Sequence, residues 1–240
     1  MDIKKAVTLA AGRGTRMGDL TTDCPKPMLP LAGRPMLAHQ IERMEEAGVE
    51  QILVVVGYKA EMVEEHFATH PPTKAKLSYV PQVKRDGTGS ATLLAREFCG
   101  GDPFLMTYGD ILVDAHVYSS LFGAADDAEM AITLKHVEDP YQGAAVYVDG
   151  DRVMKIIEKP PKGTSTTSWN NAGIYVFQPS IFEELDRIGL SPRGEYELTD
   201  AVHQLVESGR PVRWKAIEGF WRDVGRPEDL SHADKFIEGR

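Results

Sequence analysis

The sequence predicts an α/β protein with a mixed, mostly parallel sheet flanked by helices, and three observations predict it. Strand-like and helix-like periodicities alternate through the first half of the chain. A glycine-rich turn, Ala11-Gly12-Arg13-Gly14, follows the first strand-like run directly. In the second half, two strand-like runs flank Asp149-Gly150 with no helix between them. Strand-helix-strand order implies parallel pairing, because parallel neighbours need a crossover connection. A two-residue turn joins antiparallel strands instead.

The elements follow in order. Lys5 to Ala10 reads as a short strand, and Leu37, Ile41, Met44 and Ala47 space out one helix face that Gly48 stops. Gln51 to Val56 is a continuous apolar run of the kind that a buried parallel strand requires. Met62, Val63 and Phe67 mark a second helix, Lys76 to Val80 a strand, and Ala91, Leu94, Ala95 and Phe98 a third helix. Pro103 to Tyr108 is a strand that ends in Gly109-Asp110, which completes a Rossmann-like half. Ala144 to Val148 and Arg152 to Ile157 form the hairpin, followed by a strand from Ala172 to Phe177. These adjacent strands define a smaller antiparallel subdomain at roughly residues 135–180. Leu198, Val202, Leu205 and Val206 restore helical spacing before strands at Val212 to Ile217 and Phe220 to Val224. A last helix opens at Arg226-Pro227, where proline suits a first turn, and carries Leu230, Ala233 and Ile237 on its inner face.

Composition bounds the function. At 240 residues, 42% hydrophobic and 26% charged, the chain falls in the globular range, and no repeat or linker divides it. One continuous domain over 1–240 is expected, with no appended repeat domain. The longest apolar run, Ile52 to Val56, is far short of the roughly 20 residues of a membrane span. The amino terminus runs straight into a strand instead of a signal-peptide core, so a cytoplasmic location is expected. Cys24 and Cys99 form no CxxC pair, which excludes a disulfide framework and a cysteine zinc site and predicts free thiols. A net charge of −9, from 36 acids and 27 bases, argues against nucleic acid or an anionic membrane as partner. An anionic ligand needs a local exception. Arg13, Arg16 and Lys26 supply one, with only Asp19 and Asp23 as acids among them.

Four constellations carry the chemistry. The segment Leu9-Ala10-Ala11-Gly12-Arg13-Gly14-Thr15-Arg16 follows a strand, and its glycines let consecutive N–H groups approach phosphate oxygens. Its spacing matches neither GxGxxG nor GxxxxGK[ST], so a plain glycine-rich turn is the competing reading. The misplaced third glycine, Gly18, also disfavours a nicotinamide oxidoreductase. Lys26 stands between Pro25 and Pro27, which hold its ammonium on a stiff segment; otherwise it is an ordinary loop lysine. Asp110 and Asp223 each end a strand, where two carboxylates from distant segments can share one octahedral Mg²⁺; the alternative for each is a turn or helix-capping aspartate. Glu158 and Lys159 also end a strand, as an acid and a base that a regular strand would point to opposite faces. His66 and His70 lie in HFATH, which lacks the glutamate of HExxH, and Ser90 and Ser168 lack a nucleophile elbow.

LAAGRGTRM followed by PKPMLPLAGRPM resembles the signature of the sugar-1-phosphate nucleotidylyltransferases, or nucleotide-sugar pyrophosphorylases. The resemblance covers nearly the whole chain. Its later landmarks recur in order as Gln82 with Gly87-Thr88-Gly89-Ser90-Ala91, Tyr108-Gly109-Asp110, Gly143, Glu158-Lys159-Pro160, Asn171-Ala172-Gly173 and Trp221-Arg222-Asp223-Val224-Gly225. The resemblance implies transfer of a nucleotidyl group from a nucleoside triphosphate to a sugar 1-phosphate, releasing pyrophosphate. It implies catalytic roles for Arg16 and Lys26, and nucleotide contacts at Leu9, Ala10, Ala11, Gly12, Arg13, Gly14, Thr15, Gln82, Gly87 and Thr88. Asp110 and Asp223 would bind Mg²⁺. Glu158 would meet sugar hydroxyls, Lys159 the sugar phosphate, and Gly143 and Asn171 would line the sugar site within the antiparallel subdomain. An inserted Gln142 between Tyr141 and Gly143 departs from the family's aromatic-glycine pair.

The base is less constrained. The Gln82 amide matches uracil or thymine, guanine, and when flipped cytosine. The Gly-Thr-Gly form of the loop resembles that of uridylyl- and thymidylyltransferases more than the Gly-Thr-Ala form of guanylyltransferases, and this resemblance ranks UTP first, dTTP second and GTP third. A guanylyltransferase for a mannose- or heptose-type sugar 1-phosphate is the alternative substrate reading. A noncatalytic nucleotide-sugar-sensing subunit is the alternative from another class, opposed by the joint presence of Arg16, Lys26, Asp110, Lys159 and Asp223.

Overall fold

The computed structural model describes residues 1–239. The first half runs β1 (Lys5–Leu9), two short strands β2 (Pro30–Leu31) and β3 (Arg34–Pro35), α1 (Met36–Glu46), β4 (Gln51–Val56), α2 (Ala60–Thr69), β5 (Lys76–Pro81), α3 (Thr88–Leu93), α4 (Arg96–Cys99) and β6 (Phe104–Tyr108). The second half runs β7 (Ile111–Val113), α5 (Ala115–Ala124), β8 (Met130–His136), β9 (Ala144–Asp149), β10 (Arg152–Glu158), β11 (Trp169–Phe177), α6 (Ile181–Leu185), α7 (Leu198–Glu207), β12 (Val212–Ala216), β13 (Trp221–Asp223) and α8 (Pro227–Glu238). Among the described residues, nine strands form one sheet in the order β5-β4-β1-β6-β11-β8-β12-β10-β9.

The sheet is parallel where helices separate the strands and largely antiparallel where they do not. β5, β4, β1 and β6 pair in parallel. β11 then runs antiparallel to β6 and β8, and β9 and β10 form the expected hairpin around Gly150. The antiparallel strands therefore complete the same sheet as the parallel half. Strand β4 is buried from Ile52 to Val56, as a strand covered on both faces must be. Helix α1 buries Leu37, Ile41 and Met44 on one face, each contributing about 2 kcal/mol of hydrophobic stabilisation, and ends where Gly48 adopts φ 98°.

Six elements, β2, β3, β7, α5, β8 and α6, lie outside the periodic pattern described above. Helix α5 buries Val117, Tyr118, Leu121 and Phe122, and β8 is apolar and buried over its first five residues. The third expected helix divides at Leu94-Ala95 into α3 and α4, although its apolar spacing continues across the break. The strand expected from Phe220 to Val224 shortens to Trp221–Asp223 and pairs with β7 apart from the main sheet. Its ends are tied off, Phe220 N–H donating to Asp114 and Val224 N–H to the Asp110 carbonyl. Cys24 and Cys99 are free thiols. Among the described residues, no helix is long and apolar enough to cross a membrane.

Candidate active site

Sheet geometry brings the two aspartates together. Asp110 follows β6 at the carboxyl edge of the parallel strands, where ligands of open α/β sheets bind. Its turn is held from below by Gln40 of α1, which is 1% exposed. The Gln40 amide nitrogen donates to the carbonyls of Tyr108 and Ile111, each at 2.8 Å, and its oxygen accepts from Thr8 Oγ1 at 2.7 Å. Asp223 reaches the same place through the β7–β13 ladder, whose register sets it opposite Ile111, the residue after Asp110. Solvent reaches Asp223 inside the cleft, yet enclosure by the walls, and then the Asp110 carboxylate, push its carboxyl above the usual range.

Lys26 completes this centre. Its Nζ lies 2.5 Å from Asp110 Oδ2, and the residue is only 8% exposed. Pro25 and Pro27 flank it, and Gly14 packs against it, so that a Cβ on Gly14 would fall 2.9 Å from Lys26 Cβ. The two carboxylates supply negative charge in a partly enclosed cleft. That donor set suits a hard divalent cation whose remaining ligands are phosphate oxygens and water.

One cavity, about 410 Å³, is lined by Leu9, Ala11, Gly12, Arg16, Gln82, Gly87, Thr88, Asp110, Glu158, Lys159 and Asp223 among others. A smaller cavity of about 160 Å³ adjoins it, where Gly143 and Asn171 join Glu158 and Asp223. Most of the residues expected at the site thus converge from seven segments of the chain. Five do not line these cavities. Lys26 reaches the site through Asp110, Ala10 is buried beneath Gly109, Arg13 lies over the Tyr58 ring at 5.4 Å, and Gly14 and Thr15 complete the five. Tyr58 in turn donates to the Thr22 carbonyl at 2.6 Å, so it braces both arms of the glycine-rich segment.

Glycine has a different reason at Gly87 from the one that its sequence context offers. A Cβ there would lie 2.2 Å from the Tyr196 carbonyl oxygen, and one on Gly89 would lie 2.8 Å from Ile188 Cδ1. These glycines let their loop dock against the segment before α7. Tyr196 N–H donates to the Asp86 carbonyl at 2.7 Å and Gly89 N–H to the Tyr196 carbonyl at 2.8 Å, which closes that junction.

The regular-strand expectation for Glu158 and Lys159 is corrected by the backbone. Strand β10 ends at Glu158, and Lys159 takes the left-handed conformation at φ 41°, an uncommon state for a residue with a Cβ. The turn brings both side chains to one cavity instead of opposite faces. Lys159 N–H donates to the Gly143 carbonyl at 2.7 Å, which fastens the turn to the hairpin's other strand. Burial, then the Glu197 carboxylate, raise the Glu158 carboxyl above its ordinary pKa, while a hydrogen bond from Thr199 Oγ1 at 3.1 Å opposes the shift. Asn171 is internally engaged: its amide nitrogen donates to the Tyr175 hydroxyl at 2.5 Å and its oxygen accepts from Gly173 N–H at 2.9 Å. It lines the small cavity as a held side chain. Gln142, the inserted residue, closes a 3₁₀ turn and donates to the Tyr141 hydroxyl at 2.7 Å.

Several cavity residues escape motif reading. Arg193, Glu195 and Glu197 line the cavity from the segment before α7, and Arg193 lies 2.6 Å from Glu197 and 3.7 Å from Glu158. The charged run Arg193-Gly194-Glu195-Tyr196-Glu197, poised before an amphipathic helix, is the signal that could have found them. Gln40 carries no such signal, since a lone glutamine on a helix gains meaning only from the turn that it holds.

The nucleotidyl transferase family model matches residues 5–240. The chain is 37% identical over 230 residues to the bifunctional protein GlmU of Methanococcus maripaludis, a match that covers 95% of this chain and 53% of that protein. It is 35% identical over 237 residues to a glucose-1-phosphate thymidylyltransferase of Streptomyces griseus, covering 97% of this chain and 66% of that one. A solved UDP-glucose pyrophosphorylase complexed with UDP-glucose shares the fold with a TM-score of 0.88 at 24% identity, covering 99% of this chain and all of that one. The chain belongs to the nucleotidyl transferase family, in agreement with the resemblance carried by its motifs. It spans about half the length of the GlmU relatives that it matches.

Proposed function

We propose that this chain transfers a nucleotidyl group from a nucleoside triphosphate, UTP or dTTP favoured, to a sugar 1-phosphate, giving a nucleoside diphosphate sugar and pyrophosphate. The observation that carries the reading is the convergence of Lys26, Asp110 and Asp223 at the rim of a cavity that Arg16 and the glycine-rich loop also line. A sugar phosphate oxygen attacks the α-phosphorus in line and the bond to the β-phosphate oxygen breaks, so the protein's task is to align two anions and stabilise charge. Arg16 and the Gly12 amide hold the β and γ phosphates, Lys26 approaches the α-phosphate, and Lys159 orients the attacking phosphate. Glu158, held by Thr199 and Arg193, accepts from sugar hydroxyls. Asp110 and Asp223 would hold Mg²⁺, which when bound supplies positive charge to the phosphate oxygens. Both substrates are charged and water-soluble, and a cytoplasmic location goes with them.

The test is pyrophosphate release from each triphosphate with a panel of sugar 1-phosphates. Release that requires both substrates supports the proposal. Release without any sugar phosphate, or tight triphosphate binding with no release across the panel, contradicts it.

A further inference from the structure

The Gln82 side chain lines the 410 Å³ cavity, and its surroundings determine which end of the amide faces a ligand. Ser90 Oγ lies 2.5 Å from an Asp86 carboxylate oxygen and 2.9 Å from the Gly87 carbonyl oxygen. Both are acceptors, and the serine hydroxyl has one proton, which goes to the closer and charged partner. Ser90 therefore turns a lone pair toward Gln82. The amide atom of Gln82 that lies 3.1 Å from the Gly87 carbonyl and 3.3 Å from Ser90 Oγ must then be the nitrogen, with both of its hydrogens engaged. Turning the amide over would set its oxygen against two acceptors. Oε1 is left as the atom with no protein partner among the described residues.

We propose that Ser90 and Asp86 are positioning residues that fix the Gln82 amide oxygen outward, so that the base subsite selects lactam bases over amino bases. The inference rests on the nucleotidyl-transfer reading and assigns the base class at the same site. An outward acceptor pairs with the ring N–H of uracil, thymine or guanine. The corresponding ring nitrogens of cytosine and adenine are acceptors and face Oε1 lone pair to lone pair. Those bases reach Gln82 only through the exocyclic amine, displaced from the position a lactam occupies.

The experiment is calorimetric binding of UTP, dTTP, GTP, CTP and ATP, which needs no sugar substrate, to the wild type and to Ser90→Ala, Ser90→Thr and Asp86→Ala. The wild type binds UTP at least about tenfold more tightly than CTP. In Ser90→Ala and Asp86→Ala the amide keeps only the Gly87 carbonyl as a fixed acceptor, and the UTP to CTP ratio falls to within about threefold, chiefly through tighter CTP binding. Ser90→Thr keeps the hydroxyl and keeps the ratio. A wild type that binds UTP and CTP equally, or a ratio unchanged in whichever of the two alanine variants retains the wild-type melting profile, overturns the inference alone. A wild type that binds none of the five triphosphates overturns the nucleotidyl-transfer reading together with it.

Discussion

The ammonium of Lys26 lies 2.5 Å from Asp110 Oδ2, joining residues 84 positions apart in the chain. The carboxylate partners a lysine that is only 8% exposed, and prolines hold that lysine while Gln40 holds the carboxylate's turn. The pair places a positive charge beside the carboxylates at a fixed point on the cavity rim.

Gly14 is the contact through which that point can be moved. Its φ of 70° disfavours any Cβ, and the added atom would press on Lys26 Cβ at 2.9 Å and Thr21 Cγ2 at 3.2 Å. Gly14→Ala should lower the melting temperature by about 4 °C, as about 1–2 kcal/mol of left-handed strain implies. It should lower turnover by about tenfold or more through displacement of the ammonium. A melting curve and kcat on one preparation check both.

Gln40→Leu removes two hydrogen bonds to the turn that carries Asp110 and leaves Thr8 without its partner. Unsatisfied buried polar groups cost about 1–3 kcal/mol each, so the variant should lose several degrees in melting temperature. Its kcat should fall more than its KM for triphosphate rises, because the carboxylate is misplaced while the nucleotide loop is intact. A steady-state comparison with the wild type separates the two parameters.

Glu158 gives a pH dependence with a definite sign. Burial raises its folded-state pKa above the ordinary 4.5, so the folded protein holds that proton more tightly than the unfolded chain. The stability so gained is full below 4.5 and is lost as pH rises from there through the raised value. Glu158→Gln removes that loss. Relative to wild type it should therefore be more stable at pH 7 than at pH 4, while KM for the sugar phosphate rises by about tenfold. Denaturant melts at the two pH values and initial rates check the pair of effects.

What the sequence made legible follows from where each residue sits. Parallel strands β1, β4 and β6 are short, largely apolar runs, and Leu9 at the end of β1 and Asp110 just beyond β6 could be placed at the sheet's ligand edge from periodicity and order alone. Asp223 could be named from its motif. Its meeting with Asp110 depends on a three-residue strand pairing outside the main sheet, which no periodicity encodes. Lys159 was readable as a charged strand end, but its left-handed turn, which brings it to the face of Glu158, is a tertiary constraint imposed through Gly143. Arg13 stands in the glycine-rich run expected to meet phosphate, and its guanidinium lies over the nearby Tyr58 ring, a contact that no motif encodes.

The central claim, that Asp110 and Asp223 form one working centre with Lys26 for nucleotidyl transfer, is tested most directly by mass-spectrometric detection of nucleoside diphosphate sugar. Wild type, Asp110→Asn and Asp223→Asn are each given Mg²⁺, UTP or dTTP, and the sugar 1-phosphate panel. The account predicts that the wild type forms product with pyrophosphate in equal amount, and that each variant, melting near the wild-type temperature, loses at least about a hundredfold in rate, or 2.7 kcal/mol. A folded variant that keeps near wild-type turnover at saturating Mg²⁺, or a wild type that binds the triphosphate and forms no product from any sugar 1-phosphate, would contradict it.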